Sequence, residues 1–356
     1  MLRVSDAARS SDRNVRVIEF RSDNAAGAAP EILAAIQAAN VGTAIAYGDD
    51  DVTAQLQQTV RTVFEHDTAR VFPVTSGTAA NALALTALCP PWGAVLCHET
   101  AHILNSEAGA TSMLGGGAQM IGLAGDDFLI APEALRRALD SIRWGDPHHS
   151  QPSVLSFTQP SDMGTTYTVG QLVELSAIAD ERGLKVHLDG ARIANAVVRL
   201  GCSPAEMTWK AGVDAVSLGA TKNGGLSAEA IVMFDAGAAD ELVYRTKRSG
   251  HVTSKMRFQS AQLIAYLTDD LWLRLAGNAN ARMTELATGL AELGGVELVN
   301  RPDVNMLFVR VSDRKVAELK QAGLLFYELR PGLVRLVTSW STTTEDVERA
   351  LAAFAR

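Results

Sequence analysis

Cysteine is scarce in this sequence, with three residues in 356: Cys89, Cys97 and Cys202. An odd number, lying in or beside apolar segments, argues against a disulfide scaffold and for buried thiols in a reducing compartment. Basic residues are outnumbered, 32 Lys and Arg against 40 Asp and Glu, which leaves a net charge of −8. With no long basic run, that balance argues against a nucleic-acid partner. Long apolar runs are missing too. None reaches the ~20 uncharged residues of a membrane span, and the richest stretch, "AANALALTALCPPWGAVLC", is broken by Pro90 and Pro91. The opening residues "MLRVSDAARSSDRNVR" lack the apolar centre of a secretory signal. The expected setting is the cytoplasm, without membrane contact.

What is present is an alternation. At 47% hydrophobic and 20% charged residues, the chain is long enough for a large core and two domains. "DVTAQLQQTVRTVF" places Val52, Leu56, Val60 and Val63 on one helical face. Apolar runs "ARVFPV", "GAVLCH", "QMIGL", "SVLSFT", "LKVHLD", "DAVSLG" and "EAIVMF" read as strands, several separated by helical segments. This pattern predicts an α/β fold with a mostly parallel central sheet covered by helices. After about residue 250 a long helical tract gives way to short strands, an α+β arrangement. The expected division is an N-terminal arm over 1–50, a large α/β domain over 51–250 and a small C-terminal domain over 251–356.

Ligands in open α/β sheets sit beyond the carboxyl ends of the strands, and three features fall there. In "VTSGTAAN", Ser76, Gly77 and Thr78 follow a strand and open a helix. Such a start suits a phosphate, though Ser-Gly-Thr is also an ordinary helix cap. In "VHLDGARIANA", Asp189 ends an apolar run and needs a positive partner, either Arg192 or a ligand. In "SLGATKNGG", Lys222 lies among Gly219, Ala220, Gly224 and Gly225. Each feature alone is commonplace. Together they match what pyridoxal 5'-phosphate requires: a phosphate cradle, a carboxylate that keeps the pyridine nitrogen protonated, and a lysine for the aldehyde. On this reading Asp189 faces the cofactor ring, and Arg192 is free to grip a substrate carboxylate in two-pronged fashion.

Over nearly its whole length, from "FRSDNAAG" through "YGDDDVTAQL", "VTSGTAANALAL", "ETAHILNSEAGA", "VHLDGARIANA" and "SLGATKNGG" to "GLVRLVTSW", the sequence resembles the L-threonine aldolases. These belong to the aromatic amino acid β-eliminating lyase group of fold-type-I pyridoxal phosphate enzymes. The "GATKNG" form resembles a low-specificity, phenylserine-aldolase-like branch. The resemblance implies retro-aldol cleavage of L-β-hydroxy-α-amino acids to glycine and an aldehyde. It implies Lys222 as the cofactor lysine, Asp189 as the ring-nitrogen partner, and Gly77 and Thr78, with Ser76, as the phosphate cradle. His102 would stack on the ring, and Ser22, Arg192 and Arg335 would hold the substrate carboxylate. Arg257 would approach the cofactor phosphate. Tyr47 would reach the site of a neighbouring subunit, in a homodimer or homotetramer with its active site at the interface. Many members carry a second histidine near the substrate hydroxyl. Here "TQPSDMG" puts Gln159 at that position, and an amide takes no proton at neutral pH. His102, or a water it holds, then becomes the expected base. The competing expectations are β-elimination on the same scaffold and a non-catalytic cofactor-binding regulator. No metal site is expected; His148-His149 and Asp49-Asp50-Asp51 read as a polar loop and a helix start.

Overall fold

The computed structural model describes residues 17–356; the secretory-signal reading and the first sixteen residues of the expected arm lie outside them. After β1 (Ile18–Glu19), seven strands form the main sheet: β2 (Arg70–Val74), β3 (Gly93–His98), β4 (Gln119–Leu123), β5 (Gln151–Thr158), β6 (Lys185–Gly190), β7 (Ala215–Leu218) and β8 (Glu229–Met233). Their order is β2-β8-β7-β6-β5-β3-β4, and all run parallel except β8. The reversal has a simple cause. Only residues 219–228 separate β7 from β8, too few for the crossover that a parallel neighbour needs.

Strands β3, β7 and β8 are buried along their whole length, as expected of a sheet covered on both faces. On one face Leu155, Phe157, Val186 and Leu188 join the core with Leu172, Leu175 and Ile178 of the helix Val169–Asp180. On the other, Val95, Cys97 and Val154 pack with the helix Gly77–Leu88. That helix is rich in alanine and buried almost all round, so its N-terminus is held rigidly against the sheet edge. The helix Asp51–Val63 starts where Asp50 Oδ1 accepts from the Thr53 N–H at 2.8 Å, in keeping with the helix-start reading.

The long helical tract is two helices, Arg257–Leu267 and Leu271–Ala291, parted at Asp269 and Asp270, whose φ angles are +52° and +54°. Leu263, Tyr266 and Leu267 pack into the main-sheet core, whereas Met283, Leu286 and Leu290 belong to a second core. This second core backs β9 (Glu297–Leu298), β10 (Met306–Arg310), β12 (Tyr327–Arg330) and β13 (Leu333–Val337), an antiparallel sheet of order β12-β13-β10-β9. Just before β12, β11 (Leu324–Leu325) stays out of that sheet and pairs in parallel with β1. Among the described residues no helix is long and apolar enough to cross a membrane. Cys89, Cys97 and Cys202 are all free thiols, the first two buried.

Candidate active site

The carboxyl edge of the main sheet gathers the chemistry. β2 leads into Ser76, β5 into the turn at Asp162, β6 carries Asp189 as its penultimate residue, and β7 leads into Lys222. Because β8 runs the other way, its first residue, Glu229, arrives at the same edge. Together these residues line a cleft of about 280 Å³ with His102 and Arg192.

At the floor, Ser76 caps its helix by accepting from the Ala79 N–H at 3.3 Å. Among the described residues nothing accepts from the N–H groups of Gly77 or Thr78. A Cβ added at Gly77 would have nothing within 4 Å, so the space beside this backbone is open. Two unpaired donors at the positive end of a helix form a ready anion seat.

Asp189 is buried and accepts from the Ala191 N–H and from Asn81 Nδ2, both at 3.0 Å. Asn81 comes from the second turn of the Gly77–Leu88 helix, and the same Nδ2 donates to Glu107 Oε1 at 2.9 Å. His102 Nδ1 lies 2.9 Å from that oxygen. A chain of contacts therefore runs from Asp189 through Asn81 and Glu107 to His102. The bond to Glu107 raises the His102 pKa against the effect of burial, with help from the charges of Asp162 and Asp189. Beneath Asp189, His187 is wholly buried between Ser156 of β5 and Ser217 of β7, at 2.9 and 3.0 Å. Burial depresses its pKa to about 4, so it stays neutral.

The lysine loop is fixed from below. Glu229 accepts from the N–H groups of Ala220 and Thr221 at 2.9 and 3.3 Å. Asn223 donates to Tyr266 Oη and to the Trp272 carbonyl at 2.9 and 2.8 Å. Gly224, at φ +96°, makes a turn that side-chain-bearing residues rarely adopt. The Lys222 amino group itself has no hydrogen bond or ion pair among the described residues, though it lines the cleft.

Arg192 is not the free group expected from sequence. Its Nε and Nη2 bind Asp23 Oδ2 and Oδ1 at 2.6 and 2.9 Å, and Asn305 Nδ2 donates to the same carboxylate at 3.1 Å. The positive partner in DGAR therefore pairs with an acid far away in sequence, and not with Asp189. Arg335, on β13, donates from Nη2 to the Arg21 carbonyl at 3.1 Å, while its Nε is buried without a partner. Burial and the charge of Arg192 lower its pKa, so two guanidinium groups face one corner. Ser22 lies next to that corner, its Oγ accepting from the Asn24 N–H at 3.2 Å.

A profile of the beta-eliminating lyase family matches residues 19–314. The low specificity L-threonine aldolase of Pseudomonas sp. is 39% identical over 94% of this chain and 96% of its own. That of Pseudomonas aeruginosa is 40% identical over 93% of this chain and 94% of its own. The chain belongs to the threonine aldolases of the beta-eliminating lyase family. The solved threonine aldolase of Leishmania major shares the architecture at a TM-score of 0.89 and 26% identity, covering 94% of this chain and 98% of that one.

In this threonine aldolase family member, five of the expected site residues do not line the cleft: Ser22 and Arg335 sit at the corner just described, and Gln159, Tyr47 and Arg257 stand apart. Gln159 is fully buried, its amide exchanging bonds with the Tyr167 backbone at 2.9 and 3.0 Å. It anchors the wall and does not line it. Tyr47 is 55% exposed, with Lys247 Nζ 4.3 Å from its ring centre, and borders a different cavity. Arg257 opens the helix Arg257–Leu267, its guanidinium 5.1 Å from the Phe258 ring, and it does not line the cleft. Conversely, Asp23, Asn81, Glu107, Asp162 and Glu229 belong to the site and were not singled out from sequence. The signal was present for some of them. Glu229 is an acid heading an otherwise apolar strand, and Asn81 is a buried amide in a helix made mostly of alanine and leucine.

Proposed function

We propose that this chain cleaves the Cα–Cβ bond of L-β-hydroxy-α-amino acids, threonine, allo-threonine and phenylserine among them, to give glycine and an aldehyde. The observation that carries this reading is the meeting, in one cleft, of an unpaired Lys222, a buried Asp189 and an open helix start. Pyridoxal 5'-phosphate fits that set. The Gly77 and Thr78 N–H groups, with Ser76, would hold its phosphate, Asp189 its ring nitrogen, and Lys222 its aldehyde carbon, while His102 would cover the ring. When bound, the group supplies a cationic ring that accepts the electron pair freed at the α-carbon.

The protein's own contribution is orientation and charge. Arg335, with its buried unpaired Nε, and Arg192, aimed by Asp23, would receive the substrate carboxylate beside Ser22. Fixing that carboxylate decides which bond at the α-carbon stands perpendicular to the ring, and hence which one breaks. Asp189, held in place by Asn81 and the Ala191 N–H, would meet the ring nitrogen.

The test is product analysis with L-threonine, L-allo-threonine and L-phenylserine. Glycine plus the matching aldehyde is expected; pyruvate plus ammonia, or no product, would overturn the reading. Borohydride reduction followed by intact mass measurement should show cofactor attached to the wild type and none to Lys222→Ala, which also loses nearly all turnover. For Tyr47, exposure and distance from its own cleft suit a contact reaching a second subunit in a homodimer or homotetramer. A monomeric sedimentation coefficient would refute that role.

A further inference from the structure

Retro-aldol cleavage needs an acceptor for the β-hydroxyl proton, and the carboxylates around the cleft differ in how free they are. Asp189 accepts from Asn81 and the Ala191 N–H. Glu107 is engaged with Asn81 and His102. Glu229 is closed off by the Ala220 and Thr221 N–H groups, and Asp23 by Arg192 and Asn305. Among the described residues lining the cleft, Asp162 alone presents a carboxylate without a hydrogen bond or ion pair. The charged groups acting on it are His102, Asp189, Arg192 and Lys222, so it stands amid the reacting groups.

The wall that carries Asp162 is firm. The Ser161 N–H donates to the Thr165 carbonyl at 2.8 Å, the Thr165 hydroxyl donates to the Asp127 carbonyl at 2.5 Å, and Gln159 pins the segment from behind. The backbone thus sets the position of Asp162 while its side chain stays uncommitted. His102 is the poorer acceptor. Its Nδ1 is tied to Glu107, and that bond together with the surrounding carboxylates favours the protonated ring, which can only donate.

We propose that Asp162 is the base that removes the proton from the substrate's β-hydroxyl group. The O–H bond breaks and its proton passes to an Asp162 oxygen. The released pair becomes the second bond of the aldehyde C=O, while the Cα–Cβ pair is left to the α-carbon, which takes up a proton from solvent to give glycine. Asp162 then returns its proton to solvent. Burial raises the Asp162 pKa, opposed by His102, added to by Asp189, and opposed again by Arg192 and Lys222; the net rise makes it a better base near neutral pH.

The inference rests on the retro-aldol reading, so the cofactor-loaded wild type is assayed first for glycine and aldehyde; failure there overturns both. In Asp162→Asn, threonine cleavage should fall by about 10²–10⁴-fold and lose the acidic limb of its kcat/KM pH profile, and Asp162→Glu should regain part of the rate. Exchange of the glycine α-hydrogen with deuterated water involves no β-hydroxyl and should fall far less than cleavage in Asp162→Asn. In the cofactor-free protein, the His102 imidazole should titrate at lower pH in that variant, because a neighbouring negative charge is gone. Cleavage by Asp162→Asn within about tenfold of wild type, or glycine exchange falling in step with cleavage, would overturn the assignment.

Discussion

Arg192 and Asp23 form a two-pronged ion pair, Nε to Oδ2 at 2.6 Å and Nη2 to Oδ1 at 2.9 Å, with the carboxylate only 2% exposed. Removing one partner of a buried pair strands the other charge, which costs about 3–5 kcal/mol. Asp23→Asn should therefore lower stability by that order and raise KM for threonine more than it lowers kcat, because Arg192 loses its aim. Burial alone would raise the Asp23 pKa, but the charge and hydrogen bonds of Arg192, with Lys222 and Asn305, bring it below the usual carboxylate value. A group lowered in this way stabilises fully above its unfolded value of roughly 3.9 and loses that contribution as pH falls through the folded value. Urea unfolding curves of wild type and Asp23→Asn should stay apart at neutral pH and converge only in acid. Convergence already at pH values near neutrality would reject the pairing as a source of stability.

Asn81 lends one side-chain amide to two carboxylates, Asp189 and Glu107. Asn81→Ala should leave both acids short of a donor, a loss of about 1–3 kcal/mol, and should reduce kcat by loosening both Asp189 and the Glu107–His102 contact. Asn81→Asp should be worse, since it adds a third acid to the cluster. Thermal melting and steady-state kinetics read both effects. Wild-type values in the alanine variant would show the bridge to be idle.

The main sheet was readable because its inner strands, buried on both faces, are continuous apolar runs, while the half-exposed edge strand β4 shows as the short run "QMIGL". The direction of β8 was less obvious, since an apolar run carries no arrow; only the short lysine loop betrays it. The cleft residues at the strand ends, Ser76, Asp189 and Lys222, stood out by type and spacing. Asp23 did not, because nothing local links it to an arginine 169 positions away. Gln159 misled for a related reason. Neighbouring residues of a turn can face opposite ways, and here the amide went inward to Tyr167 while Asp162 kept the cleft.

His187 provides a pH test free of the active chemistry. Burial lowers its pKa from about 6.5 to about 4. Its neutral form thus stabilises the fold above the unfolded value, and the contribution, roughly 3 kcal/mol, drains away as pH drops from 6.5 towards 4. Replacing it by Gln should flatten that part of the stability–pH curve while lowering stability at pH 7 through lost bonds to Ser156 and Ser217. An equally steep curve in the variant would place the proton uptake elsewhere.

The pairing of β1 with β11 reaches beyond two short strands. It seats the segment carrying Asp23 on the C-terminal layer, where Asn305 also holds that acid, while Arg192 grips it from the large sheet and Arg335 contributes from β13. The corner that would receive a carboxylate is thus a joint product of the two ends and the middle of the polypeptide. Neither half, produced separately, would hold both guanidinium groups together with the acid that aims one of them.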